Sequence, residues 1–305
     1  MRRGTMFAAV VAAAFCVAMA SSSSFAEAKS VTFSCSGYSG TTTLTNFQAL
    51  VKLSDGAYGF RYSDCAANDG SDLWFTDSND NLIPHEVDSW NTSGDSFVWV
   101  RVPKVTPLTE GIAEITMHYG ETRTAAQTCI ATDTWNGHVG VWHMGAATKS
   151  ETEPDATGNA MNAVPNASSF SNNKGNLDKM IADVNGMVGG CRVNATDNNT
   201  GNALKVPSYN GKLDDFNTFA VSGWFYQTMT LSGVFRLFCS RAATTSSSAV
   251  YNGWELTTPD TSAIPSGVTD TGSTYSDCYI AAFRRTAIYV DWVCCHSKEV
   301  PRASI

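Results

Sequence analysis

Period-two alternation of apolar residues constrains this chain most. Between Asn46 and Leu53, the residues Phe47, Ala49, Val51 and Leu53 share one parity. Val98, Val100 and Val102 alternate with Phe97, Trp99 and Arg101, and Ile115, Met117 and Tyr119 share one side of a run that Gly120 ends. On a strand, successive side chains point to opposite faces, so each run presents one apolar face. Asn68 to Asp72 and Asp77 to Asn81 interrupt the runs with residues that tolerate turns and left-handed backbone. The pattern predicts an antiparallel sandwich. Composition agrees, because charged residues are only 16% and aromatics 11% of the chain, whereas helical proteins lean on Glu, Lys, Ala and Leu.

The N-terminus reads as a targeting segment. Arg2 and Arg3 precede an apolar run of 15 residues from Met6 to Ala20, followed by Ser21 to Ser24 and Ala26-Glu27-Ala28. A charged start, a short apolar stretch and a small-x-small site define a signal peptide at 1–28, cleaved after Ala28. A membrane anchor would want roughly 20 apolar residues. Cys16 is then lost with the leader, and no later run is apolar enough to span a bilayer. The expected location is secreted, periplasmic or cell-surface. Losing Arg2, Arg3 and Glu27 moves the formal charge from -8 to -9. The remaining Lys and Arg are scattered with no basic stripe, which argues against nucleic acid and anionic membrane as partners.

Eight cysteines remain: Cys35, Cys65, Cys129, Cys191, Cys239, Cys278, Cys294 and Cys295. In an exported chain an even count permits disulfides, and one or more bridges are expected, with the pairing open. No Cys-x-x-Cys pair or Cys/His cluster has zinc spacing.

Asn46 to Gly120, which contains "DGSDLWFTDSNDNLIPHEVDSWNTSGDSFVWVRVPKV" and closes on "EITMHYG", resembles a bacterial domain of unknown function that occurs in surface and exported proteins. The shared pattern is Gly-Ser-Asp-Leu-x-Phe, then Leu-x-Pro-His-Glu-x-Asp, Val-Trp-Val-x-Val-Pro and a terminal Tyr-Gly. That family has no assigned activity.

The second half carries "TWNGHVGVWHM" (Thr134 to Met144), Asp155-Ala-Thr-Gly-Asn159, "NGMVGGCRVN" (Asn185 to Asn194), "LKVPSYNGKLDDFNTFAVSGWFYQ" (Leu204 to Gln227) and "GWEL" (Gly253 to Leu256). In this order they resemble a concanavalin-A-like, laminin-G-like jelly roll, two packed antiparallel sheets. The alternation of Phe219, Val221, Gly223 and Phe225 with Ala220, Ser222 and Trp224 suits a half-buried strand. Members end on a hairpin and a closing strand. Here the chain runs "AIYVDWVCCHSKEVPRASI", so the closing strand looks missing and the domain truncated. The expected fold is all-β: a signal peptide at 1–28, a β-sandwich at 29–130 and a jelly roll at 131–305.

Hydrolases on the jelly-roll scaffold pair carboxylates on one strand as nucleophile and general acid. Glu151, Glu153 and Asp155 come nearest, but they flank Pro154 ahead of a turn and read as a solvated loop. No Gly-x-Ser-x-Gly elbow accompanies the five isolated histidines. His143, between Trp142 and Met144, reads as a structural strand residue, and His85 as one that caps a turn or orients Glu86. No catalytic residue is assigned. Calcium is the one cofactor to consider, because Asp155 and Asn159, like Asp64, Asp69, Asp72, Asp77 and Asp80, offer hard oxygens in turns, and the resemblance adds to it. Such residues more often brace the backbone. Sugar rings stack on exposed aromatics, and Trp90 and Tyr209, in loop-like surroundings, are the candidate ligand residues.

The expected function is a binding protein for glycan or another extracellular polymer, acting through jelly-roll loops. A structural or adhesive module contacting cell-surface proteins is the alternative, and glycoside hydrolysis ranks third. Asn91, Asn166, Asn194 and Asn198 head Asn-x-Ser/Thr sites that would matter only in a glycosylating host.

Overall fold

A computed structural model describes residues 29–35, 38–148, 151–166, 180–183, 186–194, 203–206, 220–227, 235–241, 253–258, 278–279 and 288–296. The leader at 1–28 and Tyr209 lie outside these residues. Among the described residues the elements are strands and short 3-10 turns, with no α-helix, and no helix is long and apolar enough to cross a membrane.

In the first half, one sheet has the order β1 (Lys29–Ser34), β7 (Glu114–Tyr119), β3 (Trp74–Asp77) and β4 (Leu82–Ile83). The other has β2 (Leu44–Leu53), β6 (Ser96–Val105) and β5 (His85–Ser89). All these pairs are antiparallel. The alternation read from the sequence appears directly as burial. Val31 and Phe33 from β1, Ala49, Val51 and Leu53 from β2, Val98, Val100 and Val102 from β6, and Ile115, Met117 and Tyr119 from β7 form one buried cluster between the sheets. Beyond Pro103 the parity slips, and Val105 rather than Lys104 joins the core. Asn46, which lies between the register pairs Thr45–Lys104 and Phe47–Val102, takes a left-handed φ of 54° there.

The turns are fixed by side chains that replace missing backbone partners. Asp77 Oδ1 accepts from the N–H groups of Asn79 and Asn81, each at 2.9 Å. Asp72, 3% exposed, accepts through Oδ2 from Ala66 N–H at 2.7 Å and Gly120 N–H at 2.9 Å, tying a loop to the end of β7. Gly120 has φ 88°, and a Cβ there would lie 2.9 Å from the Asp64 carbonyl, so the Tyr-Gly ending has a steric reason.

In the second half, β10 (Met180–Asp183), β11 (Cys191–Asn194), β17 (Ile288–His296) and β13 (Ala220–Gln227) form a sheet in that order, and β8 (His138–Trp142) also pairs with β17. β9 (Val164–Asn166) pairs with β12 (Ala203–Lys205). β14 (Phe235–Arg241), β15 (Gly253–Thr258) and β16 (Cys278–Tyr279) make a third sheet, whose β15–β16 contact is parallel. Ile288–His296, in the C-terminal stretch, forms a strand antiparallel to β8, β11 and β13. The structure supports an all-β, largely antiparallel protein.

Cys35, Cys65 and Cys129 are free thiols. The expected disulfides do not involve these three, and the side chains of Cys239, Cys278, Cys294 and Cys295 lie outside what is described.

Met117 is fully buried between the sheets. Met117→Ala is expected to destabilise the mature protein by about 2–5 kcal/mol, read as a lowered midpoint in urea unfolding. Thr116→Ala, on the opposite face of the same strand, should shift it by less than about 1 kcal/mol.

Candidate functional site

Strand β5 divides its side chains between two environments. His85 and Val87 turn toward the core of the first half, His85 being buried and its ring 5.1 Å from that of Phe75. Glu86 and Asp88 have the opposite parity, as do Phe97 and Trp99 on β6, and the register sets Leu50, Trp99 and Glu86 in one row across β2, β6 and β5. A row of that kind would ordinarily face water. Here it is covered, because Trp99, Trp135, Val141 and Val188 form a second buried cluster against which Leu50, Phe97, Ala156 and Trp224 pack.

The cover is delivered by the segment that follows the first half. A 3-10 turn at Ala131–Trp135 brings Trp135 down onto Trp99, with ring centroids 5.3 Å apart in an edge-to-face arrangement. Gln48 Nε2 donates to the carbonyl of Thr134 at 3.0 Å, and β8 then carries the chain to His143. The imidazole sits between two carboxylates: Nε2 is 3.1 Å from Glu86 Oε2 and Nδ1 is 3.1 Å from Asp88 Oδ2. The indole of Trp135 donates to Glu86 Oε2, and that of Trp99 donates to Asp88 Oδ2 at 2.9 Å. Trp135 also flanks the imidazole, with ring centroids 5.5 Å apart.

Electrostatics decides what this group can do. Burial alone would push His143 down, but the hydrogen bonds and charges of Asp88 and Glu86 outweigh it and hold the imidazole up to about 10. At neutral pH it is therefore a cation with both nitrogens protonated and no lone pair to act as a base. The carboxylates are occupied by the imidazolium and two indole N–H groups. The constellation is a clamp that fastens the second half onto the outer face of a first-half sheet. Sequence reasoning treated His143 as structural and missed its partners. The available signal was a strand with acids at Glu86 and Asp88, on the parity of the Val-Trp-Val tryptophan.

The other candidate residues separate. Trp90 is half-buried, in edge-to-face contact with Phe60 and Tyr62 at centroid distances of 6.4 and 5.2 Å. A Cβ on Gly70 would lie 2.7 Å from its ring, so Gly70, with φ 75°, is required by the close approach. Asp155 is buried, with Oδ1 accepting from Val141 N–H at 3.1 Å and Thr157 N–H at 3.0 Å, and Oδ2 accepting from Met161 N–H at 2.9 Å. Its neighbours are thus donors, the surroundings of a carboxylate bracing a turn rather than those of a cation site. Asn159 directs its amide nitrogen to the carbonyl of Val139 at 2.9 Å. Among the described residues, no group of three or more His, Cys, Asp and Glu is placed to hold a metal ion.

Glu151 and Glu153 do not form a carboxylate pair facing a cleft. Glu151 accepts from the N–H groups of Ala147 and Thr148 at 3.0 and 3.3 Å. Glu153 is 1% exposed and ion-paired with Arg192, whose Nη1 and Nη2 donate to the carbonyls of Thr148 and Glu151 at 2.9 Å each.

A family model described as a domain of unknown function (DUF2341) matches residues 69–138. No curated protein and no solved structure matches the chain. The matched stretch holds Glu86, Asp88, Trp99 and Trp135, while His143 lies just beyond it.

His85 is pushed down to about 4, first by burial and then by the Arg123 charge, so His85 and His143 oppose one another in pH. For His85 the unfolded chain binds the extra proton, and stability is lost as pH falls from about 6.5 toward 4. For His143 the folded chain keeps the proton, and stability is lost as pH rises from about 6.5 toward 10. Thermal unfolding across this range should show both declines. His143→Gln should remove much of the alkaline one and, by leaving two half-buried acids without their cation, lower stability at pH 7 by about 3 kcal/mol.

Proposed function

We propose that this is an exported, non-catalytic binding protein that recognises glycan or another extracellular polymer through loops of its second half. The observation that carries the reading is the inward use of its reactive side chains. The imidazolium clamp, the Glu153–Arg192 pair and the turn-bracing Asp155 commit the clustered charges of the described residues to holding the frame. Recognition then falls to loops, which is where β-scaffolds place it.

Two further elements belong to the proposal. Residues 29–130 form one β-sandwich, supported by the two sheets that share a core. Residues 131–305 form a concanavalin-A-like jelly roll, supported by the order of the motifs from Val-Trp-His to Gly-Trp-Glu-Leu and by a five-stranded antiparallel sheet containing β17. Export rests on the leader at 1–28 and its cleavage site. Such a domain holds sugars by stacking and hydrogen bonding at a shallow surface. Tyr209 is the first ligand residue to test, and Trp90, with its ring against Gly70, the second.

A protein-contact module is the second reading, favoured by Leu108 and Ile112, which are 48% and 52% exposed in the turn between β6 and β7. The experiment that separates the two is binding of the mature chain, from Lys29 onward, to a broad polysaccharide and glycan array. Retention of at least one polymer class is expected, weakened about tenfold by Tyr209→Ala. A blank array would overturn the glycan reading. Turnover of a β-glucan, abolished by Glu153→Gln in a chain that remains folded, would overturn the non-catalytic one.

A further inference from the structure

One end of the first-half sandwich sets two acids against one cation. Strand β1 starts at Lys29, the first residue after the expected cleavage site, and Lys29 lies opposite Tyr119 on β7. Its Nζ pairs with Asp64 Oδ2 at 2.6 Å. Asp72 is bound to Gly120, the residue after Tyr119. It is 3% exposed, its Oδ2 accepts from the neutral main-chain N–H groups of Ala66 and Gly120, and its Oδ1 has no hydrogen-bond partner among the described residues. Asp64, Asp72 and Lys29 all lie close enough to Cys65 to move its thiol, the acids upward and Lys29 downward. The ladder fixes where the main chain of Lys29 points. Cys35 N–H donates to the Ala113 carbonyl opposite it at 2.7 Å, and bonded pairs alternate with non-bonded ones along antiparallel strands. Counting back by twos, Lys29 and Tyr119 are a bonded pair, and the main-chain nitrogen of Lys29 faces the Tyr119 carbonyl. That carbonyl and the Gly120 N–H held by Asp72 are the two ends of one peptide group.

We propose that removing the leader completes this end of the fold: the α-ammonium that cleavage creates on Lys29 takes the ladder position against Tyr119 and supplies the second positive charge beside Asp64 and Asp72. Hydrolysis of the Ala28–Lys29 bond adds one water, leaving the carboxylate on the departing leader and the ammonium on Lys29. In the precursor an amide N–H occupies the same position, so the ladder bond exists but one cation serves two acids. After cleavage the bond to the Tyr119 carbonyl becomes charge-assisted, roughly twice as strong as a neutral one. The Tyr119–Gly120 peptide group is then polarised in one direction, by a cation at its oxygen and a carboxylate at its N–H. A backbone hydrogen-bonded into a sheet is not free to enter a protease, so cleavage precedes docking of β1, and the processed chain is the form whose first strand closes most firmly. The cleavage position rests on the export reading, whereas the shortage of positive charge stands in the described residues themselves.

Two chains are compared by urea unfolding at neutral pH, one starting at Lys29 with its free α-amine and the same chain acetylated there. The free form is expected to have an unfolding equilibrium constant about fivefold smaller, and the gap should narrow as salt is raised toward about 1 M. Asp64→Asn removes one of the two acids and should reduce the gap to about twofold or less. Should that variant fail to fold, the salt dependence in the unaltered chain still decides. Equal midpoints for the free and acetylated chains, or a gap that salt leaves unchanged, would overturn the proposal. N-terminal sequencing of the exported protein checks the premise separately. Lys29 is expected as the first residue, and a different one would overturn the proposal through its cleavage site while leaving glycan binding untouched.

Discussion

From Val98 to Val100, strand β6 is buried on both faces, and much of the described structure depends on that. Its valines at 98, 100 and 102 fill the core between the two first-half sheets, while Trp99 joins the second buried cluster with Trp135, Val141 and Val188. A half-buried antiparallel strand can end its apolar surface at water, but β6 cannot. Its second face has to be covered, and the residues that do so, Trp135 and those of β8, come from the segment that leads into the second half. Burying a tryptophan contributes on the order of 2–3 kcal/mol, so the cover is a substantial part of the stability of either half.

That cover brings charge into a nearly dry place. Asp88 is only 5% exposed at its side chain, Glu86 20% and His143 16%. Two acids and one imidazolium carry a net negative charge, and the indole N–H groups of Trp99 and Trp135 supply the remaining donors. A buried ion pair of this kind is weak as a source of stability but costly to break from one side, because the surviving charge loses its partner. It also selects geometry: an apolar contact alone tolerates sliding, whereas the imidazole must present both nitrogens between fixed carboxylates. The Glu153–Arg192 pair repeats the device within the second half, with the guanidinium also taking two loop carbonyls.

The proposed binding function follows from where the polar chemistry is not spent. Turns that look ligand-like in sequence, such as Asp155 to Asn159, spend their oxygens and amide groups on backbone partners, and Trp90 spends its ring on Gly70, Phe60 and Tyr62. Residue type and loop position are the same for a bracing aspartate and a metal-binding one. Only the direction and identity of the neighbouring groups distinguish them, and those neighbours, such as Met161 and Val141 around Asp155, come from different strands and turns.

How much was legible follows the range of the interactions. Alternation is a property of neighbouring residues, so the strands around Ala49, Val100 and Met117, their inward faces and the Asp77 turn could all be read from the chain by itself. The partners of His143 could not, because they are remote in sequence: Glu86 lies 57 positions from His143. The sequence by itself determined which side of each first-half strand would be apolar, since backbone geometry alternates side chains regardless of context. Only the tertiary structure decided that the second face of β6 would be buried at Trp99 as well, and that a histidine would be held there as a cation, since both depend on surfaces brought together by packing.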